Sequence, residues 1–489
     1  MSKKFINITE MLKDAERGSV ITISYPCGSG KTQGVITFAE SKDGINGIDK
    51  SILHLAPRKT LRSQNKNMFK DNKNVTSMTI QTLNFIENRE SLYACYDYIF
   101  VDEAQCIILD AAFNQDMVLI MEDLFTNYVF AEKGVLVAMT GTDIGMQNYF
   151  KTAYGAESKV FYEKDKIDFL KGDMFAFIHN GYSVIRIIRE KLEKGEKVIY
   201  FSETIKDIDM LLAEFAEETM VIISQNSDDY DRLCGGEDRE KDKAYFLKER
   251  KLPAKYNLLV ATKALDVGVS VEDSSITSII CSGLELATMR QMISRKRIQG
   301  NEKIDLYVVL PETKSLAQRR RRAEERYELY KLYMENPEEY AKTMAGKRLK
   351  QGELIFPKGN TEDGTPEYRV DWPAVAYTEY MLSTTLKNPK VYAYQNCVSN
   401  MLGCEGVVLP DAGQDALEAL VGKKLTSKED KMLLVSALGN LFKSPKCINR
   451  LLEEWGLPYR IKDKQYANLG TDKNGTIRQT NRAWMLVRI

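Results

Sequence analysis

Two short segments hold the residue types from which phosphate chemistry is built. Pro26-Cys-Gly-Ser-Gly-Lys-Thr32 packs two glycines, a lysine and two hydroxyls into one tight run. Gly28 and Gly30 let backbone N–H groups turn inward around a phosphate, and Ser29 lies between them. Lys31 is a cation for the outer phosphates, and the Thr32 hydroxyl is a ligand for Mg2+. The longer form of this signature has a glycine where Tyr25 stands, so the match is to the shorter Gly-x-Gly-Lys-Thr form. Ile99-Phe-Val-Asp-Glu-Ala-Gln105 ends an apolar run on two carboxylates, with Asp102 following Lys31 by 71 residues. Asp102 suits Mg2+, usually through water, and Glu103 suits a base that polarises an attacking water.

Such groups act together only if a scaffold brings them to one edge. Val20–Tyr25 reads as a strand and Thr32 to about Glu40 as the helix after it, which puts the glycine-rich run between them. Ser51–Ala56, Tyr98–Val101 and Val135–Met139 are further apolar runs of strand length. The pattern repeats after a helix that carries Val184, Ile187, Ile188 and Leu192 on one face and stops at Gly195. Strands then follow at Lys197–Phe201, Thr219–Ile223, Asn257–Ala261, Thr277–Ile280 and Ile304–Val309. Strands alternating with helices predict parallel sheets covered on both faces. The expected organisation is an α/β chain with tandem units over 1–165 and 166–310. A mostly helical domain with a small β-rich end is expected over 311–489.

The two segments together resemble superfamily 2 helicases of the DEAD/DEAH-box group, with Asp-Glu-Ala-Gln in the box. Further motifs occur in the family's order. Ala56-Pro-Arg-Lys-Thr-Leu61 and Thr79-Ile-Gln-Thr-Leu83 resemble segments that contact a nucleic-acid backbone, and Met139-Thr-Gly-Thr142 stands in the place of Ser-Ala-Thr. Tyr200-Phe-Ser-Glu-Thr204 resembles the fourth motif and Ala261-Thr-Lys-Ala-Leu-Asp-Val-Gly268 the fifth. Arg290-Gln-Met-Ile-Ser-Arg-Lys-Arg297 contains the Gln-x-x-x-Arg core of the sixth. Here Ser294 replaces a glycine, Ile298 replaces the second arginine, and Arg297 stands one residue early. This run is nearest in flavour to phage and viral replication helicases, and a role in replication follows only by analogy.

The resemblance covers roughly residues 15–310. It implies two RecA-like P-loop NTPase lobes with ATP and Mg2+ between them. Gly28, Ser29, Gly30, Lys31 and Thr32 would bind the nucleotide, with Asp266 and Gly268 facing the cleft. Thr32 and Asp102 would hold the metal. Glu103 would activate water, Gln291 would contact the nucleotide, and Arg295 would serve as the arginine finger, with Arg297 beside it. Arg58, Thr82 and Thr262 would touch the nucleic acid, DNA in preference to RNA. The implied activity is ATP-dependent movement on, or unwinding of, nucleic acid. The alternatives are a remodeller that does not unwind and a nucleic-acid-binding adaptor that uses ATP as a switch; Glu103 argues against the latter.

The last third offers less chemistry. Between Gly456 and Ile489 seven Lys and Arg face two Asp, a local balance of +5, with Tyr459, Tyr466 and Trp484 interleaved. Asp472-Lys-Asn-Gly475 reads as a hairpin tip and Gln479–Ile489 as the returning strand of a winged-helix-like unit. A nucleic-acid surface and a capping β-ribbon fit these residues equally. Arg319–Arg322, followed by Glu324, Glu325 and Glu328, reads as a salt-laced solvated helix.

Composition sets the outer limits. The chain has 489 residues, 44% hydrophobic and 28% charged, a globular balance. Lys plus Arg and Asp plus Glu are both 69, a formal net charge of +0, so any polyanion must be held by local patches. Eight scattered cysteines without a Cys-x-x-Cys pair, and two histidines, His54 and His179, argue against zinc and against a disulfide framework. No stretch approaches the roughly 20 apolar residues of a membrane span. The first residues lack the pattern of a signal peptide, and cytoplasm is the expected address.

Overall fold

Six strands form the first sheet, and the burial of their residues explains why they lie inside it. In the computed structural model these are β1 (Val20–Ser24), β2 (Ile52–Ala56), β3 (Val75–Thr79), β4 (Tyr98–Val101), β5 (Val135–Thr140) and β6 (Ser158–Tyr162). Their order is β3-β2-β4-β5-β1-β6, and every pairing is parallel. The structure describes residues 6–26, 28–41, 50–57, 68–111, 116–142, 144–163, 174–179, 181–225, 227–265, 270–298, 301–344, 353–360, 366–409, 417–437, 444–454, 459–466 and 481–489.

Alternate residues of the inner strands enter two separate cores. Leu53, Leu55, Ile99, Val101, Leu136 and Ala138 line one, while Ile21, Ile23, Tyr98, Phe100, Val135 and Val137 line the other. A one-residue slip in register would exchange the two sets, so packing on both faces fixes the register. Burying one such Leu or Ile contributes about 1.5–3 kcal/mol. The two outer strands are different. Val-Thr-Ser-Met-Thr (β3) and Ser-Lys-Val-Phe-Tyr (β6) are only partly buried, as edge strands are, and so lack the continuous apolar run that marks the inner four.

The first lobe also carries α1 (Lys31–Glu40), α2 (Cys106–Leu109) and α3 (Met146–Tyr154). The second lobe is built from β7 (Phe175–Ile178), α4 (Tyr182–Glu193), β8 (Lys197–Phe201), β9 (Thr219–Ile222), β10 (Leu258–Ala261), β11 (Ile276–Cys281), α5 (Leu286–Ile293) and β12 (Asp305–Val309). Its strands too are parallel, and they again split their side chains between two cores.

Beyond β12 come α6 (Thr313–Glu335), an antiparallel hairpin of β13 (Ile355–Asn360) and β14 (Pro366–Val370), α7 (Trp372–Ser383) and α8 (Val391–Leu402). The chain then adds β15 (Val407–Val408) to the second sheet, giving the order β15-β7-β12-β11-β8-β10-β9. Tyr394, Val398 and Leu402 of α8 fill that lobe's core, so part of the last third completes the second lobe rather than standing apart. α7 braces both lobes. Its Tyr377 and Tyr380 pack against both cores, and Tyr380 Oη accepts from the Ala287 N–H at 3.1 Å.

The chain ends in β16 (Lys424–Leu425), α9 (Lys428–Ala437), α10 (Pro445–Glu454), β17 (Tyr459–Tyr466) and β18 (Asn481–Arg488), with antiparallel strands in the order β16-β18-β17. In α6, Arg320 and Arg321 pair with Glu324 and Glu325 at 2.7 Å, the i,i+4 ladder of a solvated helix. Arg319 leaves that ladder and reaches Glu203 at 2.7 Å. Among the described residues no helix is long and apolar enough to cross a membrane.

Candidate active site

The site starts at the carboxyl end of β1. Gly28 and Gly30 both take positive φ, 84° and 82°, a conformation that L side chains rarely adopt. Gly30 stands at the N-cap of α1 and offers no side chain to its free N–H groups, which leaves the positive end of the helix open to an anion. Lys31 is buried, and its Nζ donates to the carbonyls of Tyr25 (2.8 Å) and Pro26 (3.1 Å). The Ser29 hydroxyl is buried with no hydrogen-bond partner among the described residues. A cradle with an open helix end, a hydroxyl without a hydrogen-bond partner among the described residues and a lysine donating to two neutral carbonyls fits a polyphosphate.

β5 lies between β1 and β4, so the loops after these three strands meet at one edge. Asp102 and Glu103 follow β4 directly. Asp102 N–H donates to Leu55 O at 2.9 Å, and the next turn is anchored by Ala104 N–H to Met139 O at 2.8 Å. Glu103 between them takes φ 46°, in the left-handed region unusual for a residue with a side chain. Its N–H donates to Asp102 Oδ1 at 3.0 Å. Burial would raise the Asp102 carboxyl, but His54, the Lys31 ammonium and the Glu103 N–H outweigh it and hold the group below the ordinary carboxylate range. His54 Nε2 lies 3.6 Å from Asp102 Oδ2, a polar contact longer than a hydrogen bond. An ionised, buried Asp102 near the Thr32 segment is a donor set of the oxygen kind that Mg2+ takes.

Gln105 links the carboxylates to β5. It is wholly buried; its Nε2 donates to Glu103 Oε2 at 2.7 Å, and its Oε1 lies 2.6 Å from the Thr140 hydroxyl. That hydroxyl also lies 2.7 Å from Thr142 O, so its single proton is shared between two acceptors, and it accepts from Thr142 N–H at 3.1 Å. The Thr142 hydroxyl is itself buried with no hydrogen-bond partner among the described residues. Sequence reasoning named the Gln105 and Thr140 segments but assigned those two side chains no role, and His54 none at all. Their place in the Asp-Glu-Ala-Gln and Met-Thr-Gly-Thr runs was the available signal for the first two.

The second lobe supplies the other wall. Gln291, on α5, is buried, and among the described residues its Nε2 has no hydrogen-bond partner; the same holds for Nε and Nη2 of the buried Arg295. Arg297 reaches the glycine run: a methyl group on Gly28 would stand 2.9 Å from its Nη1. Its Nε donates to Ser270 Oγ at 3.3 Å. The structure therefore sets Arg297 against the glycine run.

The expected nucleic-acid contacts are less fully placed. Thr82 Oγ1 lies 2.7 Å from Thr79 Oγ1, and the cavity beside the carboxylates is lined by Pro57, Gln81, Asp102, Glu103 and Asp110. Thr262 follows β10, where its N–H donates to Ile222 O at 3.1 Å. Its neighbour Lys263 lies 4.0 Å from Asp110 Oδ1 of the first lobe. Cys27, Arg58, Asp266 and Gly268 lie outside the described residues.

No protein-family model matches the sequence, and no curated protein matches it. Solved structures of superfamily 2 helicases do resemble the fold. The chain is similar to the DEAD-box helicase Mss116 bound to ssRNA and UDP-BeF, with TM-score 0.45 and 15% identity over 62% of this chain and 68% of that one. It is similar to S. cerevisiae Dbp5 bound to RNA and ADP BeF3, with TM-score 0.44 and 16% identity over 63% of this chain and 84% of that one. The helicase MrfA bound to DNA and AMPPNP gives TM-score 0.42 and 14% identity over 60% of this chain and 46% of that one. At these scores the reading of two tandem RecA-like lobes rests on the parallel strand registers and on the motif-bearing loops at one sheet edge.

Proposed function

We propose that the chain is an ATP-dependent nucleic-acid translocase or helicase that hydrolyses ATP between its two lobes. The observation that carries this reading is Arg297 of the second lobe standing against Gly28 of the first lobe's phosphate loop. A cation delivered from a different lobe ties hydrolysis to the relative position of the two lobes.

The residues divide the work as follows. Backbone N–H groups of the loop would hold the β-phosphate. Lys31 would exchange the carbonyls of Tyr25 and Pro26 for phosphate oxygens, a stronger set of partners. Thr32 and Asp102 would hold Mg2+, which when bound would offset the negative charge of the phosphates. Glu103 would take a proton from the water whose oxygen attacks the γ-phosphorus as the bond to the β-phosphate oxygen breaks, giving ADP and phosphate. The Gln105 amide donates to Glu103 Oε2 and would fix the direction of that carboxylate. Arg297 would offset charge on the transferred group. Thr140 and Thr142 continue the chain from Gln105, so a change at the carboxylates reaches the β5 loop through hydrogen bonds. Nucleic acid, DNA in preference to RNA, would lie across Arg58, Thr82 and Thr262.

The test is steady-state ATPase without nucleic acid and with single-stranded DNA, duplex DNA or single-stranded RNA, with Glu103→Gln as control. Stimulation by one polymer, lost in the variant, is expected. Turnover indifferent to every polymer would sink the motor reading.

A further inference from the structure

The last 73 residues are unlike the rest of the chain in charge. Residues 417–489 contain 14 Lys and Arg against 7 Asp and Glu, a net +7 in a chain whose overall net charge is +0. The remaining 416 residues therefore carry −7 and repel a polyanion on the whole, so its attraction concentrates at this end.

The fold of this end is a separate small unit with its own core. Leu425, Leu434, Val435, Ile448, Leu452 and Trp484 pack together, joined by residues of the hairpin. Two consecutive helices, α9 and α10, are followed by the long hairpin β17–β18, and the short β16 ahead of them pairs with β18. A helix pair followed by a hairpin, with the early strand at the sheet's other edge, is the arrangement of a winged helix-turn-helix. In that motif the second helix of the pair enters a groove of the nucleic acid.

The second helix is built for that use. α10 buries Ile448 and Leu452 toward the core, and its opposite face exposes Lys446, Arg450 and Glu453. Lys446 and Arg450 are four residues apart, one above the other. Asn449 pins the helix to the hairpin: its Oδ1 accepts from Ile461 N–H at 2.6 Å, and its Nδ2 donates to Ile461 O at 2.9 Å. The helix therefore cannot roll, and its basic face keeps one direction. On β17, Ile461 turns inward while Arg460 and Lys462 are exposed.

We infer that residues 417–489 bind duplex DNA, with α10 in the major groove and Lys446 and Arg450 as its contacts. The choice of DNA follows from width. A helix with its side chains is about 10–12 Å across and fits a B-form major groove of about 12 Å. The deep, narrow major groove of A-form RNA does not admit it. This site is distinct from the proposed motor and would hold duplex while the lobes act on a strand.

The experiment measures binding of the full chain to a blunt duplex DNA of about 20 base pairs, roughly two helical turns. Duplex RNA and single-stranded DNA of the same sequence are the comparisons, and ATPase is measured in parallel. Lys446→Ala combined with Arg450→Ala should weaken duplex DNA binding about tenfold and lower its salt slope by about two. Both side chains are exposed, so the thermal transition should not move, and ATPase stimulated by single-stranded DNA should stay at the wild-type level. Unchanged duplex DNA affinity in the double variant would overturn the inference, as would equal or tighter binding of duplex RNA by the wild-type chain. Either result leaves the motor reading standing if polymer-stimulated turnover persists. Loss of that stimulation in the wild-type chain refutes the motor and not this site.

Discussion

Replacing Arg297 with alanine removes a second-lobe guanidinium that stands against Gly28. A guanidinium whose Nη1 lies 2.9 Å from the position of a Gly28 methyl is close enough to a phosphate bound there to act at about 4 Å. Two unit charges at about 4 Å and an effective dielectric of about 20 interact by about 4 kcal/mol. Applied only in the transition state, that is about a thousandfold in rate, the lower end of the range for arginine fingers. Arg297→Ala should therefore lower kcat of the polymer-stimulated ATPase about a thousandfold. Nucleotide affinity, measured with a fluorescent ATP analogue, should change by less than about threefold, because first-lobe groups supply ground-state binding. Arg297→Lys keeps the charge but loses the fork, so it should recover only part of the loss. The reasoning fails if Arg297→Ala keeps more than about a third of wild-type turnover while Arg295→Ala abolishes it, a split that assigns the transition-state term to Arg295.

Lys31→Ala should abolish turnover, since the variant loses the cation meant for the β- and γ-phosphates; measurable polymer-stimulated ATPase would contradict the phosphate-loop assignment. Gln105→Ala frees Glu103 Oε2 and should lower kcat by up to about 100-fold with little change in KM. A rise in KM alone would mean that Gln105 serves binding rather than orientation. Asp371 caps α7 through the Ala374 N–H at 3.0 Å, and burial pushes its carboxyl from 3.8 up to about 7. The folded chain thus holds an extra proton between those values, and stability falls as pH rises through that window. Asp371→Asn keeps a capping acceptor and removes the charge, a gain of at most about 4 kcal/mol. Its Tm should exceed wild type at pH 8 and match it near pH 4; a difference independent of pH would refute the assignment.

What was legible in the sequence was what depends on burial or on backbone geometry alone. Most inner strands appear as runs dominated by apolar residues because both of their faces are covered, although the inner β7 (Phe175–Ile178) is not among the expected strands. Gly28 and Gly30 announce the loop because few other residues accept φ near 80°. β3 and β6 escape notice because an edge strand buries only part of each residue, and Val-Thr-Ser-Met-Thr carries no period to read. Gln105 is a polar residue in a motif, and nothing in its type tells that its amide joins Glu103 to Thr140; that link is made by β5 lying next to β4.

Arg297 shows how a spacing one residue short of the family's can still bring a cation to the glycine run. Counted along a helix, the family's two arginines stand three residues apart, and Arg297 falls one short. The chain here has left α5 at Ile293, and Lys296 forms a parallel bridge with Val271. Val271 N–H donates to Arg295 O at 2.7 Å, and Arg297 N–H donates to Val271 O at 2.9 Å. Extended backbone alternates its side chains, so Lys296 turns inward to Glu302 at 2.5 Å and Arg297 turns outward to the loop. Two residues of extended chain span about 6.6 Å, whereas three residues of helix advance only about 4.5 Å. The missing residue is made up by the change of conformation, and a motif that looks one residue too short still delivers a guanidinium to Gly28.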